Sequence, residues 1–391
     1  MEMRRFRHYA GMRMPWIFAV GMGLYWFLLF VYPAMNGSEV SSDDEVTIRY
    51  VERELLFLEA GEGSGWFVSW WTGRSEEQET VGALQALLEG VWADGETAGL
   101  KAHLEKLENS GGGEVVDYFS EEEQRSLLWR SLFFGLIEGL VLVALPFLLW
   151  WGRRSWREEG RTWRLTRVWS PAWVLTVFFL ALILVEGYWL GVMWTISGLA
   201  GGEHGAELIY SLLWRGLPGV LAAFALLGSW SGIRRVFLGT NGVAWANVLG
   251  AFGILTVFHY LVYSLANDPG VLDPGDYFWV ADPTASEVIV DVFDGVVFAP
   301  VFEELMFRGV LFLGMMKRLG APLAALISTV LFAVVHTQYD AWAMFSVGVF
   351  GLACCWLTWK TGSIKSGIVL HMIFNGLITL YAWAIYQMPV G

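Results

Sequence analysis

The last third of the chain puts ionisable side chains where their apolar surroundings leave little room for them. The stretch VFEELMFRG at 301–309 sets Glu303, Glu304 and Arg308 into an otherwise apolar helix. Glu304 and Arg308 are four apart, one helical turn, so they share a face and can pair. Glu303 points about 100° away from Glu304 and is left for another partner. Two carboxylates against one guanidinium leave an excess negative charge, which suits general base or acid work in a low-dielectric site. The next apolar stretch, STVLFAVVH at 328–336, repeats Ser328, Phe332 and His336 every four residues, on one face. A third, at 362–375, carries His371 and Asn375, again four apart, and an imidazole beside an amide offers donors to a developing oxyanion.

Each feature also has a plainer reading. Buried charges can simply bind helices together, and a membrane His or Asn is often only a hydrogen-bond partner between helices. Three such readings would have to hold independently between residues 303 and 375. Ionisable residues within spans are costly to bury and mark a functional site by default.

These residues resemble the CPBP family of type II CAAX prenyl proteases, bacteriocin-processing enzymes and abortive-infection proteins. Its three motifs are Glu-Glu-x-x-x-Arg, Phe-x-x-x-His and His-x-x-x-Asn or Asp. Glu303-Glu304 with Arg308, Phe332 with His336, and His371 with Asn375 match them in order and spacing. The resemblance covers about residues 288–386. It implies an intramembrane endopeptidase in which Glu303 and His336 hold and activate water. Glu304 supports them, Arg308 holds the carboxylate pair, and His371 and Asn375 stabilise the oxyanion. Two chemistries stay open: direct water activation with no cofactor required, and a divalent metal such as zinc on Glu303, His336 and His371, three protein ligands as in catalytic zinc sites. The implied substrate is a membrane-associated protein or peptide, cut near its membrane-embedded or C-terminal part. Two competing functions are a non-catalytic member of the fold, serving immunity or as a scaffold, and a proton-coupled transporter using the same carboxylates.

The elements that must position these residues are transmembrane helices. The chain has 391 residues, 55% hydrophobic and only 16% charged, against about 25% charged in a soluble domain. Continuous apolar runs near 20 residues point to helical spans, because lipid forbids unpaired backbone amides. Runs near 16–32, 132–151, 173–196, 208–227, 243–265, 288–315, 322–336, 342–359 and 368–386 predict an all-α polytopic transmembrane bundle of eight or nine spans. Between residues 36 and 126 lie 21 acidic and 6 basic residues, a net of −15, so the remainder carries +2. The acidity is thus local, and nothing resembles a nucleic-acid surface. Apolar spacing at 81–88 and 100–107 predicts short amphipathic helices there.

The division expected is therefore a cytoplasmic N-terminus and first span (1–35), a small acidic extracytoplasmic domain (36–126), spans of unassigned role (127–287) and the CPBP-like core (288–391). Arginines at 4, 5, 7 and 13, then six between 153 and 167, place the N-terminus and that loop on the cytoplasmic side of a prokaryotic plasma membrane. Glu138, Glu186, Arg215 and His259 also fall in predicted spans, with Glu186 and Arg215 a candidate interhelical pair. Cys354 and Cys355 read as small apolar filler.

Overall fold

Long apolar runs fold to helix, and in the computed structural model every regular element among the described residues is helical. The structure describes residues 16–25, 27, 47–48, 50–56, 77–89, 98–110, 118–157, 169–197, 216–227, 230–238, 243–266, 288–289, 292–336, 339 and 341–384. The helices are α1 (Glu77–Glu89), α2 (Ala98–Ser110), α3 (Glu121–Arg157), α4 (Pro171–Ser197), α5 (Gly216–Leu227), α6 (Trp230–Leu238) and α7 (Trp245–Ala266). After these come a π-helical turn at Phe293–Phe298, α8 (Ala299–Glu303), a second π-helical stretch at Glu304–Phe312, α9 (Leu313–Leu319), α10 (Ala321–Val334), α11 (Ala341–Thr361) and α12 (Lys365–Ala382).

Two helices are long and apolar enough to cross a membrane among the described residues, Glu121–Trp151 and Ala341–Thr361. Four shorter apolar helices accompany them, at Trp16–Tyr25, Pro171–Leu184, Trp245–His259 and Ala321–Val334. Most of the first long helix is left unburied. Its outward side chains include Trp129, Leu136, Leu140, Val143 and Phe147, each at least 60% exposed. Water would penalise each such apolar side chain by about 1.5–3 kcal/mol relative to burial, whereas lipid removes the penalty.

The chain divides into two compact units. One comprises Met1–Ser38, Leu145–Leu255 and Ala285–Gly376; the other comprises Glu39–Ala144, Thr256–Thr284 and Leu377–Gly391. In the second, Tyr50, Val51, Leu55, Leu56, Leu84, Leu88, Leu100, Leu104 and Leu127 form a hydrophobic core. The described parts of the acidic segment therefore pack around their apolar residues, and α1 and α2 contain the stretches whose spacing predicted helix. α3 starts with Ser120 and Glu123 bonding reciprocally, Ser120 N–H to Glu123 Oε2 at 2.8 Å and Glu123 N–H to Ser120 Oγ at 3.4 Å, a capping box.

The first unit carries the candidate site. Its centre is the second π stretch, where every residue from Glu304 to Phe312 is buried. Phe307 there packs edge-on against Phe178 of α4 and Phe332 of α10, with ring centroids 5.2 and 5.0 Å apart. Gly320, at φ 79°, ends α9 and Pro322 opens α10, a stop followed by a start. α10 ends at Val334, so His336 lies two residues beyond its helix rather than inside it.

Several sequence expectations fall on other residues. Arg215, the 36–46 and 57–76 stretches of the acidic segment, and the side chains of Glu138 and Glu186 lie outside the described residues. His259, on α7, belongs to the second unit.

Candidate active site

Adjacent along one helix, the two carboxylates are divided by their surroundings. Glu304 opens the π stretch and is fully buried, with Oε1 2.8 Å from Nη1 of Arg308, itself fully buried one turn on. Nη1 lies within ion-pair distance, yet no N–H is aimed at the oxygen, so the contact is Coulombic more than an aligned hydrogen bond. The guanidinium is held from two further sides. Nη2 donates to the Gly351 carbonyl of α11 at 3.1 Å, and the guanidinium carbon sits 4.3 Å above the Phe332 ring. A charge this deep persists only when paired and hydrogen-bonded.

His371, 5% exposed on α12, joins the two glutamates. Its Nδ1 is 3.3 Å from Glu304 Oε1 and its Nε2 is 3.7 Å from Glu303 Oε2. An ionised Glu304 only accepts, which makes Nδ1 the donor and leaves Nε2 towards Glu303. Glu303 keeps 29% of its side chain exposed, so it is the carboxylate an incoming group can reach. Phe350 packs edge-on against the His371 ring at 4.9 Å and fixes its orientation.

His336 comes to the same neighbourhood by another route. Its Nδ1 is 2.7 Å from the Phe332 carbonyl, and a carbonyl only accepts, so Nδ1 carries the proton and Nε2 has a free lone pair. Its ring lies 4.7 Å from that of Phe332, which is also 6.0 Å from His371. Phe332 is therefore the shared neighbour of His336, His371 and Arg308. Among the described residues no ion pair joins His336 to either glutamate.

Asn375, one turn after His371, donates Nδ2–H to the Gly295 carbonyl at 2.8 Å. Ser328, the first residue of the four-spaced face, donates to the Phe307 carbonyl at 2.8 Å. Cys354 and Cys355 are buried and free.

Glu303, His336 and His371 do not converge as a set of metal ligands. Among the described residues, no group of three or more His, Cys, Asp or Glu side chains is placed to hold an ion. Glu303 and His371 approach each other at 3.7 Å, whereas among the described residues no ion pair brings His336 to Glu303. This arrangement does not fit a three-ligand metal, and no step is derived through one.

Two glycines complete the site, and the motif reading did not reach them. A Cβ at Gly367 would stand 2.7 Å from Glu304 Oε2 and 3.5 Å from its carboxyl carbon; one at Gly351 would stand 3.2 Å from Arg308 Nη2. The signal was available for Gly367, since 367, 371 and 375 are spaced by four and form one stripe of α12. Glu304 cannot swing away cheaply, because Arg308 and His371 hold its other oxygen. Gly367→Ala is therefore expected to cost about 1–3 kcal/mol, the range for an overpacked core, read as a fall in the melting temperature of the detergent-solubilised chain. An unchanged melting temperature would show that the carboxylate has slack.

The class defined by this fold and site is a helical protein that encloses an acid–guanidinium–imidazole centre among apolar helices. Residues 285–377 match the family model described as Type II CAAX prenyl endopeptidase Rce1-like, so this segment is similar to that domain. The matched stretch, about a quarter of the chain, contains every site residue from Glu303 to Asn375. The family is one of membrane-embedded endopeptidases, and this supports protease activity at the level of the family. Comparisons with curated proteins and with solved structures gave no match.

Proposed function

We propose that the protein is a multi-pass intramembrane endopeptidase that hydrolyses a peptide bond with water activated by Glu303 and His336. The observation that carries this reading is the meeting of Glu303, Glu304 and Arg308 of one apolar helix with His371 of α12 inside the Rce1-like segment. A structural ion pair needs only Glu304 and Arg308. The second carboxylate and the imidazole add burial cost without adding a bond of comparable quality, which a catalytic demand explains.

In the proposed reaction, Glu303 takes a proton from water while Nε2 of His336 accepts a hydrogen bond from the O–H that remains. The hydroxide adds to the substrate carbonyl carbon, and the oxyanion that forms is stabilised by the second N–H of the Asn375 amide. Glu303 then returns its proton to the amine as the C–N bond breaks, leaving acid and amine products. Glu304 and Arg308 hold His371 in place throughout. The 3.7 Å between His371 and Glu303 exceeds a direct hydrogen bond and suits a bridging solvent molecule.

The substrate proposed is a membrane-associated protein or peptide cut near its membrane-embedded or C-terminal part. The bundle is proposed to have eight or nine spans in a prokaryotic plasma membrane, with a cytoplasmic N-terminus and the acidic segment outside. The test is incubation of the purified chain with an internally quenched peptide bearing an apolar C-terminal tail, with products identified by mass spectrometry. His336→Ala is expected to abolish cleavage, and wild-type cleavage is expected to survive dialysis against a chelator. Equal cleavage by His336→Ala would overturn the mechanism, and loss on chelation would replace Glu–His activation by a metal.

A further inference from the structure

Asn375 has a partner that an oxyanion donor does not require. In a π-helix the N–H of residue i+5 bonds the carbonyl of residue i. The turn at Phe293–Phe298 follows that register, and its last bond runs from the Ala299 N–H to the Asp294 carbonyl. The next bond in the series would run from residue 300 to the Gly295 carbonyl. Residue 300 is proline and has no N–H. The usual α-helical donor for Gly295, the N–H of Ala299, is already spent on Asp294. The Gly295 carbonyl thus loses both helical donors at the point where the chain turns into α8, the helix ending at Glu303. A backbone carbonyl left unpaired there would cost about as much as a lost hydrogen bond. The Asn375 side chain fills this position, with Nδ2 at 2.8 Å. Because a carbonyl can only accept, the amide end facing it must be the nitrogen. α12 lies against this turn at the next residue too, since a Cβ at Gly376 would meet Val296 Cγ1 at 3.4 Å.

We propose that Asn375 is a positioning residue, supplying to Gly295 the hydrogen bond that Pro300 cannot and so setting the turn that delivers Glu303 opposite His371. His371 and Asn375 lie one turn apart on α12, so one helix grips the glutamate helix at both ends: His371 at the carboxylates and Asn375 at the π turn eight residues upstream. Register is what such a grip controls. A π turn that relaxed to α geometry would rotate everything after it relative to α12 and carry Glu303 away from His371. The consequence for activity rests on the reading of Glu303 as the water-activating group; the structural claim does not.

The experiment is a double-mutant cycle on the full chain in detergent, with Asn375→Leu, Pro300→Ala and the two combined. Pro300→Ala returns an N–H to the backbone, and the cycle cancels the cost of the smaller buried side chain. Asn375→Leu is expected to lower the apparent melting temperature by about 3–6 °C with Pro300 present, as the loss of a partly buried hydrogen bond does, and by about 1 °C or less in the Pro300→Ala background. The kcat for the quenched peptide should fall in Asn375→Leu and recover in part in the double variant, with KM little changed. An oxyanion role alone predicts the same loss of kcat in both backgrounds and no effect on melting. Equal losses with Pro300 and in the Pro300→Ala background would overturn the proposal. Should Pro300→Ala fail to fold, Pro300→Val restores the same N–H with a side chain nearer proline in volume, and the same comparison decides. If the wild-type chain leaves the peptide uncut, the endopeptidase reading fails while the melting cycle still decides the role of Asn375.

Discussion

Arg308→Met is expected to remove most of the folded protein, and Arg308→Met combined with Glu304→Leu to bring much of it back. The single change leaves the Glu304 carboxylate at zero exposure, with His371 at 3.3 Å and the Cys354 thiol as its remaining polar neighbours. Breaking a buried pair by removing one member costs about 3–5 kcal/mol, because the surviving charge is uncompensated. That is a large share of the roughly 5–15 kcal/mol by which a domain is stable. Replacing both members with apolar side chains removes the uncompensated charge and is often neutral. The double variant still orphans the Nδ1 proton of His371, so recovery is expected to be incomplete. Yield of monodisperse protein on size exclusion, with melting temperature, reads both outcomes. A single variant as stable as wild type would mean that Glu304 is protonated or hydrated, and that the pair is not what holds the cluster. In either case the double variant should be inactive, since His371 has lost its anchor.

The second large effect concerns the neighbouring carboxylate, and its signature is the reverse. Glu303→Gln is expected to lower kcat for the quenched peptide about 10²–10⁴-fold, the range for removal of a general base, with the fold intact. Glu303 is partly exposed, and its contact with His371 is 3.7 Å, so stability has little to lose. Glu304→Gln should do the opposite first: it leaves Arg308 buried beside a neutral amide and lowers the melting temperature before activity can be read. Two adjacent residues of identical type thus separate into a working group and a structural one. If Glu303→Gln retains wild-type turnover, water activation by this residue is refuted whatever happens at Glu304.

The polar groups gathered at this site were legible in residue types and intervals. Four-residue spacing is one turn in either an α- or a slightly wider helix, so the Glu304–Arg308 pair survives the π geometry that spacing alone did not reveal. Apolar runs likewise declared the helices, because lipid and core both reward the same side chains, and the acidic stretch declared its short amphipathic helices by period. The separation of Glu303 from Glu304 was also visible, as the angle between successive residues on a helix requires.

Partners across space were not legible. That Phe332 would be the common neighbour of two histidines and a guanidinium depends on how α10, α11 and α12 pack. So does the use of the Gly351 carbonyl, and the gap at Gly367 that admits Glu304. The reading of Asn375 as an oxyanion donor weighed its type and its distance from His371; its bond to Gly295 depends on a proline 75 residues earlier ending a π register. Local sequence determines which groups each helix can present, because periodicity and propensity act over a few residues. Which of those groups meet is decided by packing between helices far apart in the chain, where hydrogen-bond satisfaction and volume are settled together.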